Sequence, residues 1–365
     1  MDILYIGRYY KDEILTGPEK VAKRIFDCLS KSGKLVFIEY FFDGKEYGIF
    51  KKLFGKEIVD NVNGCDIFRL GIVTMFFKLF KSKPKIIHII TFERFAFVSY
   101  FCKIFFRTKI IYSPHGLIVY ENKNFRHQNW FCNFKDKTAE NVFFKYSNII
   151  LVLSENFKRL LCKDYKINES KIRYVRNGID SEYNQVKEKK IFYKDNILKI
   201  VFIADINRKE KGFLFLVKSL ELTENKIELY VIDKKENIIT FKNDLIKVFC
   251  FDKMPSYELA DFLKDKDVYI STSYYEPFSI TSVECMASGV ITVLTKETGA
   301  SELIKDGING FVYDYGDSNK LINIINTLVD NFELKKNISK EAVKIYEDLN
   351  WEKISYEYLN IYKSI

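Results

Sequence analysis

A chain of 365 residues is longer than the roughly 250–300 at which a single core stops growing, so two domains are expected. Hydrophobic residues at 47% and charged residues at 29% are the proportions of a soluble globular protein. The net charge of +9 is uneven: residues 1–180 carry 32 Lys and Arg against 19 Asp and Glu, and residues 181–365 carry 26 against 30. That leaves two readings open, an anionic partner on one side or a solvated basic surface.

The chain opens on MDILYIG, which reads as a buried strand and not as a secretory leader with a basic start. Seven cysteines are scattered without a CxxC pair, which excludes a disulfide framework. Both observations point to a reducing, cytoplasmic setting. Strands are predicted at Ile3–Ile6, Leu35–Tyr40, Ile86–Ile90, Lys109–Ser113, Ile149–Leu153 and Arg173–Val175. Others follow at Lys199–Ile203, Glu228–Ile232, Leu245–Phe251, Asp267–Ser271 and Val290–Thr295. Many are unbroken apolar runs between helical patterns, the mark of parallel strands covered on both faces, so the fold class is doubly wound α/β. The most apolar stretch, Ile86 to Phe106, is interrupted by His88, Glu93, Arg94 and Lys103, which excludes a membrane span. The rhythm pauses after Asn177-Gly178-Ile179-Asp180, in a polar segment from Ser181 to Asn196. The expected domains are residues 1–182 and 183–345, with 346–365 forming a last helix. In open α/β sheets ligands bind beyond the carboxyl ends of the strands, so two such domains facing each other would make a cleft.

The most informative stretch is residues 274–295, YYEPFSITSVECMASGVITVLT. A strand leads into a loop with Glu276-Pro277, a helix starts near Ser279–Thr281, and Gly289 ends it. The first amides of such a helix point outward at the positive end of its dipole and suit a phosphate. Glu276 on the loop and Glu284 in the helix flank that point. Carboxylates on both sides of an anion site suit a molecule with hydroxyls at each end and a diphosphate between them, as in a nucleotide sugar. Two glutamates eight residues apart also arise simply as dipole complementation.

This stretch resembles the signature of glycosyltransferase family 4, E-P-F-G-L followed by E-A-M-A-S/C-G-x-P-V. Here it reads Glu276-Pro277-Phe278-Ser279-Ile280 and then Glu284-Cys285-Met286-Ala287-Ser288-Gly289. Thr298-Gly299-Ala300-Ser301-Glu302 through Gly310-Phe311 continues the likeness. Thr16-Gly17-Pro18 is similar to the family's first glycine loop, and Pro114-His115-Gly116 to its H-G. Ser154-Glu155, Val175-Arg176-Asn177-Gly178-Ile179-Asp180 and Lys211-Gly212 follow in family order. Trp351 to Tyr362 resembles the terminal helix that crosses back to the first domain. On residues alone, Gly17 sits in a plain turn or a helix-start loop, and His115 is a structural histidine or a site histidine.

The resemblance implies a GT-B fold of two facing Rossmann-like domains, acceptor side first. It implies a retaining, metal-independent transferase moving a hexose or related sugar from a UDP- or GDP-sugar to a glycan, without any other cofactor. By family position Glu284 binds the donor ribose, Glu276 the sugar hydroxyls and Lys211 the diphosphate. Gly17, Phe278, Ser279 and Ile280 complete the donor site, and His115, Glu276 and Lys211 are the expected catalytic residues. Three positions depart from the pattern. Ile203-Ala204-Asp205 replaces V-G-R, with Arg208 or Lys209 as substitutes for the missing arginine. Asp233-Lys234-Lys235 replaces a G-x-G. Ser279 replaces a glycine, a mild change because the backbone amide remains.

Acceptors in such a family are often lipid-linked glycans, as in surface polysaccharide biosynthesis. The stretches Phe76 to Lys85 and Phe105 to Lys109 interleave aromatics with cations. They read either as peripheral contacts with an anionic membrane or as amphipathic helices with Phe in the core. A non-catalytic glycan-binding or partner subunit is the alternative function, favoured by Asp205. No nucleic-acid-binding module is present.

Overall fold

The computed structural model describes residues 3–9, 14–31, 35–41, 47–126, 130–185, 190–193 and 196–365. It divides into two compact units, Met1–Arg176 with Trp351–Ile365, and Asn177–Asn350. Of the polar segment predicted between the domains, residues 186–189 and 194–195 lie outside the described residues.

The first unit is built on eight strands: β1 (Ile3–Ile6), β2 (Leu35–Tyr40), β3 (Lys56–Val62), β4 (Cys65–Leu70), β5 (Ile86–Ile89), β6 (Lys109–Tyr112), β7 (Ile149–Val152) and β8 (Ile172–Tyr174). Their order is β3-β4-β2-β1-β5-β6-β7-β8, and all pairs are parallel except β3 with β4. Chain order reverses between β1 and β5, so a crevice is expected past their carboxyl ends. The hairpin of β3 and β4 was absent from the strands predicted above. Its signal is Asn63-Gly64, with φ of 52° and 79°, a turn that suits two antiparallel strands. The inner strands lack polar–apolar alternation because both of their faces are covered: Leu4, Ile6, Ile87, Ile89, Ile110 and Ile150 share one core with the helices' Met75, Leu79, Phe143 and Leu161.

The last helix, Trp351–Lys363, belongs to this unit and packs against the helix Gly17–Ser30. Its Trp351, Ile354, Tyr358 and Tyr362 are buried. The Tyr362 hydroxyl lies 2.7 Å from Nδ1 of His88 on β5 and accepts from the Tyr5 hydroxyl on β1 at 3.1 Å. Ser113 Oγ meets Nε2 of the same histidine at 2.7 Å. Both ring nitrogens are thus partnered, and burial pulls the His88 pKa down to about 3, which keeps the ring neutral.

The second unit has six strands: β9 (Ile197–Ile203), β10 (Lys226–Asp233), β11 (Ile246–Asp252), β12 (Val268–Ser271), β13 (Ile291–Thr295) and β14 (Phe311–Tyr313). They run parallel in the order β11-β10-β9-β12-β13-β14. Numbered within the unit this is 3-2-1-4-5-6, the dinucleotide-binding order, with its reversal between β9 and β12. The chain enters and leaves this unit side by side, since Ile179 donates its N–H to Leu349 O at 2.7 Å. Among the described residues no helix is long and apolar enough to cross a membrane.

Candidate functional site

The reversal between β9 and β12 brings two loops together in the second unit. The loop after β9 runs through Asp205, Arg208 and a short turn at Lys209–Lys211 to Gly212. The loop after β12 runs from Thr272 to Ser279, where the helix Ile280–Ala287 begins. Gly212 locks the two loops together. Its φ is 67°, and a Cβ there would stand 2.0 Å from Thr272 O, so neither the backbone conformation nor the space admits a side chain. The Thr272 hydroxyl donates toward Lys211 O at 2.9 Å and Gly212 O at 3.0 Å, and Tyr274 N–H donates to Glu210 O at 2.8 Å.

This clamp sets Lys211 against Glu276. Their side chains form a direct ion pair across the crevice, with 19% and 17% of each side chain still open to solvent. An incoming ligand can therefore reach both charges. Glu276 is held by its backbone: its N–H donates to Glu297 O and its carbonyl accepts from Gly299 N–H at 2.8 Å. The Phe278 carbonyl accepts from Ala300 N–H, also at 2.8 Å. The turn that precedes the helix is thus pinned along its outer side by the loop after β13.

Ser279 caps the helix, its hydroxyl accepting from Ser282 N–H at 3.3 Å and from the Ser282 hydroxyl at 2.6 Å. Its φ is 76°, in the left-handed region. The replacement of glycine is therefore not mild for the backbone, because a Cβ in that region costs roughly 1–2 kcal/mol. The serine hydroxyl offsets part of the strain through the cap and through its bond with Tyr269 beneath it. Ile280 is the first helical residue. Glu284 lies one turn further on and is only 3% exposed. Burial, reinforced by the Glu284 charge, pushes the nearby Tyr183 hydroxyl well above its usual pKa. The helix closes where Gly289 N–H meets Met286 O at 2.9 Å and Val290 N–H meets Cys285 O at 2.9 Å.

Arg208 does not stand free for a phosphate. Its guanidinium is bound to the carboxylate of Glu210, which is buried. Asp205 accepts from Asn207 N–H at 2.9 Å and turns the loop. Glu210, Thr272 and Tyr269 were missed by the sequence reading. Glu210 had a local signal, an acid two residues after Arg208 in a tight turn, whereas the partners of Thr272 lie some sixty residues away.

Gly17 and His115 lie in the first unit. Gly17 is the first residue of the helix after β1, where Thr16 N–H donates to Glu19 Oε2 at 2.9 Å. His115 follows β6, two strands away from β1 in the sheet. Its Nε2 is buried without a hydrogen-bond partner among the described residues, and burial lowers its pKa to about 4. The ring is neutral at physiological pH. The first unit's own reversal, between β1 and β5, carries a pair that the sequence reading also passed over. Arg8 Nε donates to Glu93 Oε1 at 2.7 Å, Glu93 is buried, and Thr91 beside it has φ of 106°.

Residues 184–345 match the family described as glycosyl transferases group 1, and residues 66–183 match glycosyltransferase family 4. An uncharacterized glycosyltransferase of Methanocaldococcus jannaschii is 27% identical over 326 residues, covering 85% of this chain and 82% of that protein. The capsular polysaccharide biosynthesis glycosyltransferase CapM of Staphylococcus aureus is 24% identical over 271 residues, covering 68% and 69%. HepE of Anabaena, solved in complex with UDP-glucose, superposes with a TM-score of 0.71 at 15% identity over 100% of this chain and 99% of that one. The shared architecture is GT-B.

Proposed function

Since the chain belongs to the group 1 glycosyltransferases of glycosyltransferase family 4, we propose that it moves a hexose-type sugar from a nucleotide-sugar donor to a glycan acceptor, with retention of configuration and without a metal. The observation that carries this reading is the Lys211–Glu276 pair at the reversal point of the second unit, beside the start of the helix Ile280–Ala287. In the proposed complex the donor diphosphate lies on the amides of Phe278, Ser279 and Ile280, where helix start and dipole favour an anion. Lys211 shifts its charge from Glu276 to the leaving phosphate, stabilising negative charge as the sugar bond breaks. Glu276, released, accepts from sugar hydroxyls, and Glu284 accepts from the ribose. Gly17 and His115 are the residues of the first unit proposed for donor binding and catalysis. HepE's complex with UDP-glucose and CapM's role in capsular polysaccharide support a UDP-sugar and a surface glycan as the first substrates to try. The proposed location is the cytoplasm, peripheral to the membrane's inner face.

The test is a thermal-shift screen of UDP-, GDP- and ADP-sugars, followed by mass-resolved transfer or donor hydrolysis. A native-state ligand raises the melting temperature. Lys211→Met should lower turnover about 10²–10³-fold, as loss of one group that stabilises transition-state charge does. No shift with any donor, together with unchanged behaviour of Lys211→Met, would sink the proposal. The engagement of Arg208 by Glu210 favours a second reading, a non-catalytic glycan-binding subunit. That reading expects glycan binding that persists in Glu284→Ala and no sugar transfer.

A further inference from the structure

Strand β6 is followed by Ser113-Pro114-His115-Gly116-Leu117 and then by the helix Ile118–Asn124. Leu117 stands at the N-cap of that helix and offers no side-chain acceptor, so the first amides need partners from elsewhere. The carboxylate of Glu140, on the helix Trp130–Tyr146, accepts from Ile118 N–H at 2.8 Å and from Val119 N–H at 3.2 Å. Tyr165 donates its hydroxyl to Glu140 Oε2 at 2.8 Å and takes a backbone hydrogen bond from Tyr120. The amides of residues 118, 119 and 120 are thus all held by side chains from outside their own helix.

Glu140 is 0% exposed. A buried carboxylate is costly to desolvate, and an apolar side chain would fill the same space without that cost. The carboxylate does what no apolar side chain could: it fixes the far end of the loop after β6. The near end is fixed as well. Ser113 N–H donates to Ile89 O at 2.9 Å, and its hydroxyl meets His88 Nε2 at 2.7 Å. Between these anchors Pro114 has a restricted φ, and Gly116 has no room for a Cβ beside Glu121 Oε1. Glu121 is itself paired with Arg126 at 2.5 Å. Residues 114–117 therefore have little freedom, and His115 is one of them.

We propose that Glu140 is the positioning residue for His115: from a neighbouring helix it pins the helix start that ends the loop, and so holds the imidazole in place. The positioning requires no donor; its use in catalysis rests on the transferase reading.

The experiment labels histidine Cε1 with carbon-13 in the whole protein and follows its three histidines by NMR between about pH 8 and 5, with His115→Ala for assignment. In the unaltered protein His115 and His88 should not titrate over that range, since burial holds them at about 4 and about 3. In Glu140→Gln and Glu140→Ala, His115 should titrate with a midpoint above about 5 as water enters the loosened loop, while His88 stays flat. The sign is decisive, because loss of the negative charge alone would lower the His115 value further. Tyr165→Phe keeps the carboxylate and should bring the onset of His115 titration into the same range, which provides the test where the Glu140 variants do not fold. Tyr100→Phe is the control for plain destabilisation. It removes a buried hydroxyl bonded to Phe143 O and Ser147 Oγ near the carboxyl end of the Glu140 helix, and should leave His115 in place.

Turnover is read by hydrolysis of UDP-glucose. Glu140→Ala should lower kcat at least about tenfold with KM changed less than about threefold, and should add nothing in a His115→Ala background. A His115 midpoint that does not rise in any of these variants overturns the positioning. So does a kcat loss that is undiminished when His115 is already alanine. A His115 that moves while His115→Ala turns over normally defeats the catalytic reading of His115 alone. Failure of the unaltered protein to hydrolyse UDP-glucose counts against that donor, and the His115 midpoint then decides the positioning by itself.

Discussion

Ser279 shows how a single side chain can satisfy one requirement of its position and violate another. Its hydroxyl bonds to Ser282 and Tyr269, while its Cβ sits in a backbone region suited to glycine. Ser279→Ala keeps the strain and loses the hydroxyl; Ser279→Gly loses the hydroxyl but relieves the strain. The glycine variant should be the more stable of the two by about 1 kcal/mol, after its greater unfolded-state entropy is allowed for. Urea unfolding of the two variants checks the order, and an alanine variant as stable as the glycine one would refute the strain. Lys211 and Glu276, which the fold pairs, could be singled out in the sequence because each stands in a short motif with fixed spacing. The φ of Ser279 and the capture of Arg208 by Glu210 were not, because both are set by packing between loops that only the fold brings together.

At the scale of elements, most strands that are unbroken apolar runs were legible, with ends that moved by a residue or two, but the three-residue strand Phe311–Tyr313 was too short to stand out. The hairpin Lys56–Leu70 escaped because its first strand has no buried residue and both strands mix apolar with charged residues. The return of the last helix was legible from its resemblance, but its anchor was not, since His88 and Tyr362 are 274 residues apart. Tyr362→Phe removes the hydroxyl that serves both His88 Nδ1 and the Tyr5 hydroxyl. Leaving buried polar groups unmatched should destabilise the first unit by about 2–3 kcal/mol, measured by denaturant unfolding with tyrosine or tryptophan fluorescence. A loss below about 0.5 kcal/mol would mean that the contact is energetically idle. The helices Ile72–Ser82 and Ser99–Phe106 are packed on one side and open to solvent on the other. Phe76, Phe80 and Phe106 turn inward and pack on one another, whereas Phe77 and Phe105 are 65% and 63% exposed beside Lys78, Lys81 and Arg107. Pelleting with anionic but not neutral vesicles at low salt is expected, reduced in Phe77→Glu with Phe105→Glu. Equal partitioning into both vesicle types would dismiss electrostatic docking.

For the whole molecule, the chain's length and the α/β rhythm pointed to two units, and the first of them, Met1–Arg176 with Trp351–Ile365, holds four buried groups whose titrations act in opposite directions. Burial lowers His88 and His115 to about 3 and about 4, and raises Glu93 and Glu140 to about 7. The histidines stabilise fully above their ordinary value of 6.5 and lose that contribution as pH falls toward their folded values. The glutamates act oppositely: their contribution is present below 4.5 and is lost as pH rises toward 7. The two effects therefore oppose each other between those limits, and only the histidines act in stronger acid. Calorimetry should show a melting temperature that changes little from pH 7 to 5 and drops steeply below 4.5. A uniform decline from pH 8 to 4 would contradict this balance.

The last helix also imposes an order in time. The first unit's core includes Tyr362, yet the ribosome reaches that residue only after making all of Asn177–Asn350. At the usual pace of about 5–20 residues per second, roughly 10–40 s separate the two halves of one folding unit. During that interval His88 and Tyr5 lack the hydroxyl that joins them, while the second unit, whose chain is contiguous, is free to close. The part of the molecule that is synthesised first is the part that is finished last.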